Sequence, residues 1–343
     1  MTQQGKRNLI TDVAGLSVGQ AEDADVRTGV TVILAERPFP AAVDVRGGAP
    51  GTIGTDALDS INLVGTVDAI TLSGGSSFGL EAATAVTAWL GARGRGFRFH
   101  PEMPAVPIVP GAIIFDLVNG GDKNWGDAPP YGALARKAIE SAGEDFALGN
   151  AGAGMGATAG IYKGGTGSAS AVLASGVTVG AIVIVNSVGS PIIPDTDVFW
   201  AFPFEQKNEF GGRRPAPDFG AVDAAMPFDI KGAARPGANT TIALIATDTD
   251  LSGVELKRLA IMAADGFARA LRPVHTPFDG DTVFAIATAK RAIGEPRAFA
   301  VMELGNAAAD CLARAIARGV YEASTLGDVR SYRDLCAARE EAK

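Results

Sequence analysis

An internal threonine, Thr240, stands where a Pro-, Gly- and Ala-rich stretch ending in Gly237-Ala238-Asn239 gives way to the apolar run Thr241-Ile242-Ala243-Leu244-Ile245-Ala246-Thr247. A hydroxyl at the start of a buried strand, with a cuttable loop in front of it, is how a nucleophile is stored until the bond before it is broken. A threonine exposed in this way becomes a new chain terminus, and its own freed α-amino group activates the hydroxyl. A second chemical segment follows, His275-Thr276-Pro277-Phe278-Asp279-Gly280-Asp281-Thr282-Val283-Phe284. Its two carboxylates lie two residues apart, a spacing that puts them on one face of an extended chain. Asp-Gly-Asp also suits a plain turn or a calcium loop, but the glutamate that would complete an EF-hand pattern is missing. His275 beside these acids brings a Ser-His-Asp triad to mind, yet no G-x-S-x-G elbow is present.

Three further features carry weaker signals. Lys163 is a lone cation in the small-residue tract Gly160-Ile161-Tyr162-Lys163-Gly164-Gly165-Thr166-Gly167. A lone lysine usually faces solvent, but flanking glycines let backbone approach closely and favour burial. Asn186 ends a strongly apolar strand; it reads as a turn residue or as an amide N–H donor to an oxyanion. Gly152-Ala153-Gly154-Met155-Gly156 loosely matches a dinucleotide fingerprint, but no clear strand precedes it and no acid lies about twenty residues on. Gly152 and Gly154 read as close backbone packing or as the wall of an amide-binding site.

The elements that must position these groups follow from periodicity. Val30–Ala35 and Ala41–Arg46 read as a hairpin around a Pro-containing turn, and Ala69–Ser73 as a short strand followed by a helix over about 77–91. Val106–Phe115, broken by Pro107, Pro110 and Gly111, reads as an interrupted or edge strand. A helix is expected over Tyr131–Gly143 and a strand over Val177–Val185. Residues 187–238 form a long stretch without periodicity, unusual inside a compact domain and often functional. The strand Thr241–Thr247 leads to a helix opened by a Ser252/Glu255 capping box. That helix runs to about Leu271, with Val254, Leu259, Met262 and Phe267 toward the core. A strand over Val283–Thr288 and helices over about 302–323 and 326–342 complete the chain. Alternating strands and helices, with a hairpin among them, point to an α/β (α+β) chain with mixed sheets, an αββα sandwich rather than a Rossmann sheet.

The chain has 343 residues, 47% of them hydrophobic and 7% aromatic, with 44 glycines and a net charge of −8. That apolar content is enough for a sizeable core, and the small residues favour tight packing over disorder. With no basic block, nucleic acid and anionic membrane surfaces are poor partners. Cys311 and Cys336 fall in helical patterns and read as small buried hydrophobes. With only two histidines, His100 and His275, no zinc-ligand spacing is available, and no metal or cofactor is expected. No secretory signal or membrane-spanning run is visible, so a cytoplasmic enzyme acting on a small molecule or short peptide is expected.

Taken together, six segments resemble the family of L-aminopeptidase/D-esterases, β-peptidyl aminopeptidases and nylon-oligomer (6-aminohexanoate oligomer) hydrolases. They are Val43-Asp44-Val45-Arg46-Gly47-Gly48, Leu72 to Glu81, Gly152 to Met155 with Lys163-Gly164-Gly165, Val185 to Gly189, Asn239-Thr240-Thr241 and Asp279 to Thr282. They occur in the family's order over nearly the whole chain. The resemblance implies a four-layer αββα sandwich, similar to the ornithine acetyltransferase-like fold, and one catalytic domain over 1–343. It implies self-cleavage between Asn239 and Thr240, giving an α chain 1–239 and a β chain 240–343. It further implies Thr240 as nucleophile, Lys163 beside it, Asn186 in the oxyanion hole, and Asp279 and Asp281 orienting the nucleophile and its amine. A homotetramer or larger assembly is implied as well. Threonine at 240 is similar to the nylon-oligomer branch. Some relatives place a tyrosine where Phe115 stands, so a substrate-facing hydroxyl is absent here. The ornithine acetyltransferases, which pass the acyl group to an amine, and a non-catalytic small-molecule-binding protein are the alternative readings.

Overall fold

The computed structural model describes residues 2–59, 61–220, 222, 229–231 and 239–341. The Pro-, Gly- and Ala-rich segment 232–238 lies outside the described residues. The main strands are β1 (Leu16–Asp23), β2 (Thr28–Val45), β3 (Thr66–Ser73), β4 (Gly111–Ile113), β5 (Gly165–Val172), β6 (Thr178–Asn186), β7 (Thr240–Thr249) and β8 (Thr282–Arg291). The helices are α1 (Glu81–Ala92), α2 (Tyr131–Glu140), α3 (Gly253–Ala263), α4 (Asp265–Ala270), α5 (Arg297–Tyr321) and α6 (Tyr332–Glu341). One mixed sheet runs in the order β5-β6-β7-β8-β2-β3-β4, with Gln3–Gln4 beyond β5, Thr52–Ile53 beyond β4, and β1 on β2. The fold is therefore α/β with a large mixed sheet.

At its centre β7 runs antiparallel to β6, in the register Asn186↔Thr240 to Val179↔Thr247, and parallel to β8, from Ile242↔Thr282. All ten residues of β7 are buried. A strand covered on both faces has no polar side to alternate with, hence its unbroken apolar sequence. Ala243 and Ile245 join Val183, Val185, Val283 and Ala285 in a core under α3, α4 and α5. Ile242, Leu244 and Ala246 face the other way, against Ile33, Phe39, Ile70 and Leu72. A third core lies between Val30, Val32 and Ala69 and the helices α1 and α2. The abundance of small residues has a direct use here. A Cβ on Gly167 would come 1.9 Å from the Ala315 carbonyl oxygen, so α5 lies on β5 with backbone against backbone.

Several expectations are corrected. The proposed hairpin at residues 30–46 is a single eighteen-residue strand, β2. Its first half pairs with β1 and β3, its second half with β8, and a register shift falls between Leu34 and Phe39. The shift bends one strand across two cores, which sequence pattern alone reads as two strands and a turn. The helix expected from Ser252 to Leu271 breaks at Ala264 into α3 and α4, although the Ser252/Glu255 capping box is present. Leu259 and Phe267 are in the core, but Val254 is 71% exposed in the first turn; Leu256, Ala260 and Ala263 complete the inner face. The last helix begins at Tyr332, because Leu326 and Val329 close a turn on each other.

Candidate active site

Thr240 is the first residue of β7 and only 1% exposed; Asn239 before it is 0% exposed. The Thr240 hydroxyl hydrogen-bonds its own preceding carbonyl, with Oγ1 2.5 Å from Asn239 O. The same carbonyl oxygen accepts the Gly280 N–H at 2.9 Å. The carbonyl of the Asn239–Thr240 peptide is thus polarised by one backbone donor with a hydroxyl beside it. Gly280 has to be glycine, since a Cβ there would meet Thr240 Oγ1 at 2.7 Å and the Ala49 carbonyl oxygen at 2.7 Å. The Asn239 carboxamide is buried, and neither its oxygen nor its nitrogen has a hydrogen-bond partner among the described residues. Burying such a group unpaired costs about 1–3 kcal/mol.

The two aspartates hold the strand ends around this bond. Asp281 accepts the Thr241 N–H on Oδ1 at 2.9 Å and the His275 N–H on Oδ2 at 3.1 Å, and His275 Nδ1 lies 2.8 Å from Oδ2. It therefore pins the residue next to Thr240. Asp279 accepts Val188 N–H on Oδ1 at 3.2 Å, and Thr276 N–H and Oγ1 on Oδ2 at 3.0 and 2.5 Å. Asp279 thereby ties this turn to the chain just beyond β6. Burial, with the Asp281 charge adding to it, pushes the Asp279 carboxyl above the usual carboxylate range. The oxygens of both carboxylates are committed to N–H and O–H donors, an arrangement of a hydrogen-bonded turn rather than of a calcium loop.

Asn186 ends β6 directly opposite Thr240. Its Oδ1 accepts Thr158 N–H and the Lys231 ammonium, both at 3.0 Å, while Nδ2 donates to Phe115 O at 3.2 Å. Phe115 thus meets the site through its carbonyl. Lys163 is buried across a two-stranded pairing from Thr158, and its Nζ donates to Gly154 O at 2.9 Å and Gly164 O at 2.7 Å. Burial lowers the Lys163 ammonium to about 7; the Asp116 carboxylate works against that shift and the Lys231 charge adds to it. Burial likewise lowers Lys231 to about 7, opposed by Asp279. The buried Asp116, raised by burial, accepts Thr28 Oγ1 at 2.6 Å and Gly75 N–H at 2.8 Å.

The structure therefore brings Thr240, Asn186, Asp279 and Asp281 together, with Lys163 linked to them through Thr158 and Lys231. Gly152 and Gly154 are placed differently from an amide-binding wall. Their N–H groups are taken by Glu22 Oε2 at 2.8 Å and Ala151 O at 3.0 Å, and Gly154 meets the cluster through the carbonyl that holds Lys163. Sequence reasoning missed Lys231, Asp116 and the Gly280 N–H. Only the long irregular stretch around Lys231 and the glycine between two aspartates carried any signal.

Thr240 thus opens the buried central strand of a large mixed α/β sheet, an architecture shared with a variant of the N-terminal-nucleophile hydrolase fold. The structure is similar to an L-aminopeptidase D-Ala-esterase/amidase from Ochrobactrum anthropi, described as a new variant among that fold, with a TM-score of 0.73 over 99% of this chain and 95% of that one at 22% identity. A beta-aminopeptidase of Burkholderia sp. has a TM-score of 0.72 over 99% and 96% at 23% identity. At these identities the likeness is one of fold.

The model of peptidase family S58 matches residues 8–333, and the chain belongs to that family. An uncharacterized aminopeptidase of Mycobacterium tuberculosis (strain H37Rv) is 45% identical over 96% of this chain and 98% of its own length. A 6-aminohexanoate-oligomer endohydrolase of Kocuria sp. (strain KY2) is 34% identical over 83% and 76%. The protein is an S58 aminopeptidase, a hydrolase of peptide and amide bonds. Among the described residues no helix is long and apolar enough to cross a membrane.

Proposed function

We propose that the chain cuts itself between Asn239 and Thr240 and then works as an N-terminal-threonine amidase through an acyl-enzyme. The observation that carries this reading is the Thr240 hydroxyl 2.5 Å from Asn239 O, with Gly280 N–H on the same oxygen at 2.9 Å. In the first step the Thr240 oxygen bonds the Asn239 carbonyl carbon, the carbon–nitrogen bond breaks, and the hydroxyl proton ends on the departing Thr240 nitrogen. Water then hydrolyses the ester, releasing the Asn239 carboxylate and restoring the hydroxyl of Thr240, whose α-amine was freed in the first step. That amine, with an ordinary pKa near 8, is partly neutral at pH 7 and takes the hydroxyl proton when a substrate amide is attacked. Gly280 N–H and Asn186 Nδ2 serve the tetrahedral oxyanion. Asp281 orients the nucleophile's strand through Thr241 N–H, and Asp279 orients the turn that carries Gly280.

The single domain then consists of an α chain 1–239 and a β chain 240–343. The two halves of the sheet, meeting through the core of Ile242, Leu244 and Phe284, are read as the inner layers of an αββα sandwich. Substrates are short peptides, amino-acid amides or ω-amino acid oligomers; the last follow from the name of the Kocuria relative. A cytoplasmic homotetramer or larger assembly is part of the same reading. Intact mass and N-terminal sequencing of the purified protein test it: the small fragment should begin Thr-Thr-Ile-Ala. A start at Thr241, or an uncut chain after long incubation, overturns it.

A further inference from the structure

We infer that Lys231 is a positioning residue of this site, setting the carboxamide of Asn186 and strengthening its N–H as an oxyanion donor. The inference rests on the proposed Thr240 chemistry. Lys231 belongs to none of the six motifs, and it lies in the long stretch without periodicity, residues 187–238. Yet its Nζ donates to Asn186 Oδ1 at 3.0 Å, and its backbone N–H donates to Val188 O at 3.0 Å. Val188 N–H in turn donates to Asp279 Oδ1 at 3.2 Å. Lys231 is therefore tied to both strand ends that flank Thr240.

The geometry has two consequences for Asn186. A carboxamide oxygen has two lone pairs. Thr158 N–H and Lys231 Nζ fill both at 3.0 Å, with Thr158 Oγ1 more distant at 3.4 Å. This saturates Oδ1 and forbids a flipped amide, which would set an NH₂ group against two donors. The Nδ2 edge must then point away from Lys231, where one hydrogen goes to Phe115 O at 3.2 Å and the other has no acceptor among the described residues. That second hydrogen is the one left for an oxyanion, on a residue paired with Thr240. An ammonium on the carbonyl oxygen of an amide also draws electron density from its nitrogen, so the N–H donates more strongly. Burial holds the Lys231 ammonium down at about 7, and the Asp279 carboxylate favours its charged form.

The test uses full-length Lys231→Met, Lys231→Gln and Lys231→Arg. For each, the rate of self-cleavage is followed by intact mass, and kcat and KM of matured enzyme are measured on an amino-acid p-nitroanilide, with Tm as a control. Lys231→Met should slow cleavage and lower kcat by about tenfold or more, since a whole oxyanion donor is worth about 10²–10³, while KM stays within twofold. Lys231→Gln should behave much as Lys231→Met, because a neutral donor polarises the amide far less than an ammonium does. Lys231→Arg, which keeps charge and donors, should recover most of the loss. Unchanged cleavage and kcat in Lys231→Met overturns the inference, as does an equal loss in all three variants accompanied by a large fall in Tm. A Thr240→Ala chain that still cuts sinks the underlying reading instead, whatever Lys231 does.

Discussion

The two ends of β7 each carry a fully or almost fully buried threonine, and the contrast between them locates the chemistry. At one end the Thr240 hydroxyl lies on a carbonyl that also accepts Gly280 N–H, in a closed setting of carboxylates, an asparagine and a lysine. At the other end Thr249 borders a 460 Å³ cavity lined by Leu173, Val177, Ile293, Phe299 and Leu304 among others, and its hydroxyl has no partner among the described residues. Glu295 and Glu303 also line that cavity, but among the described residues no converging set of hydrogen-bond donors and acceptors like the one around Thr240 is found there. A nucleophile that is still peptide-bonded is kept away from solvent by its own chain, so cavity size is a poor guide to where such a chain works. The density of directed polar groups is the better one.

The largest effect expected is at Thr240. Thr240→Ala should give a folded, uncut chain with activity on amino-acid p-nitroanilides lower by about a thousandfold or more, while Thr240→Ser, which keeps a hydroxyl, still cuts. Equal activity of wild type and Thr240→Ala would move the chemistry elsewhere and dissolve the contrast between the two ends. Next come the carboxylates. Asp279→Asn and Asp281→Asn each replace an oxygen that accepts N–H by an NH₂ group. Both should slow self-cleavage and lower kcat by about 10- to 100-fold with Tm shifted by only a few degrees. Two variants that merely unfold would reduce this turn to a structural one.

The buried lysine sharpens the same comparison through pH. Folded Lys163 titrates at about 7 against an ordinary 10.5. Between those values the unfolded chain holds a proton that the folded chain has released, so this group makes stability rise as pH climbs from about 7 to 10.5. Below pH 7 the cost of the buried charge is present in full. Lys163→Met removes that cost but leaves the Gly154 and Gly164 carbonyls without their donor. The net is a gain of about 2 kcal/mol at pH 6 that reverses to a loss of about the same size toward pH 10, where the charge cost has gone and the two carbonyls still lack their donor, and denaturant unfolding at the two pH values measures it. A Lys163→Met chain less stable than wild type at pH 6 would show that the charge is compensated in the fold.

How much of this was legible follows from where information sits along the chain. Thr240, Asp279 and Asp281 were readable because a loop-to-strand switch and two acids before a strand are local patterns. The six motifs in order then identified the family. The central strands were readable because a doubly covered strand has to be apolar throughout. The bent β2 was not, because its halves serve different cores and only long-range pairing joins them. Lys231 was not, because nothing near it in sequence shows that its ammonium meets Asn186, forty-five residues away. The break at Ala264 was not, since helical spacing of apolar residues continues through it.

A smaller effect is expected at Phe115, whose carbonyl holds Asn186 Nδ2. Phe115→Tyr adds a hydroxyl to the residue whose carbonyl holds the proposed oxyanion donor. It should change the ratio of kcat/KM between α-, β- and ω-amino acid amides by about tenfold, the scale of one hydrogen bond of about 1–1.5 kcal/mol. Cleavage at Asn239 should persist. An unchanged ratio across the panel would place the ring away from the substrate.

The smallest effect, and the cleanest comparison, belongs to Thr249. Thr249→Val exchanges a buried hydroxyl without a partner among the described residues for a methyl of similar shape. The unpaired polar group is removed and no hydrogen bond of that hydroxyl is lost, so the folded state should gain about 1 kcal/mol, visible as a small rise in Tm. Self-cleavage and kcat/KM should stay within twofold of wild type, because the cavity at that end takes no part in the reaction. The same exchange at the other end, Thr240→Val, should leave an uncut chain. A Thr249→Val enzyme that cut normally but lost kcat/KM would mean that substrate reaches β7 from the cavity, and the division of labour between the two ends would have to be redrawn.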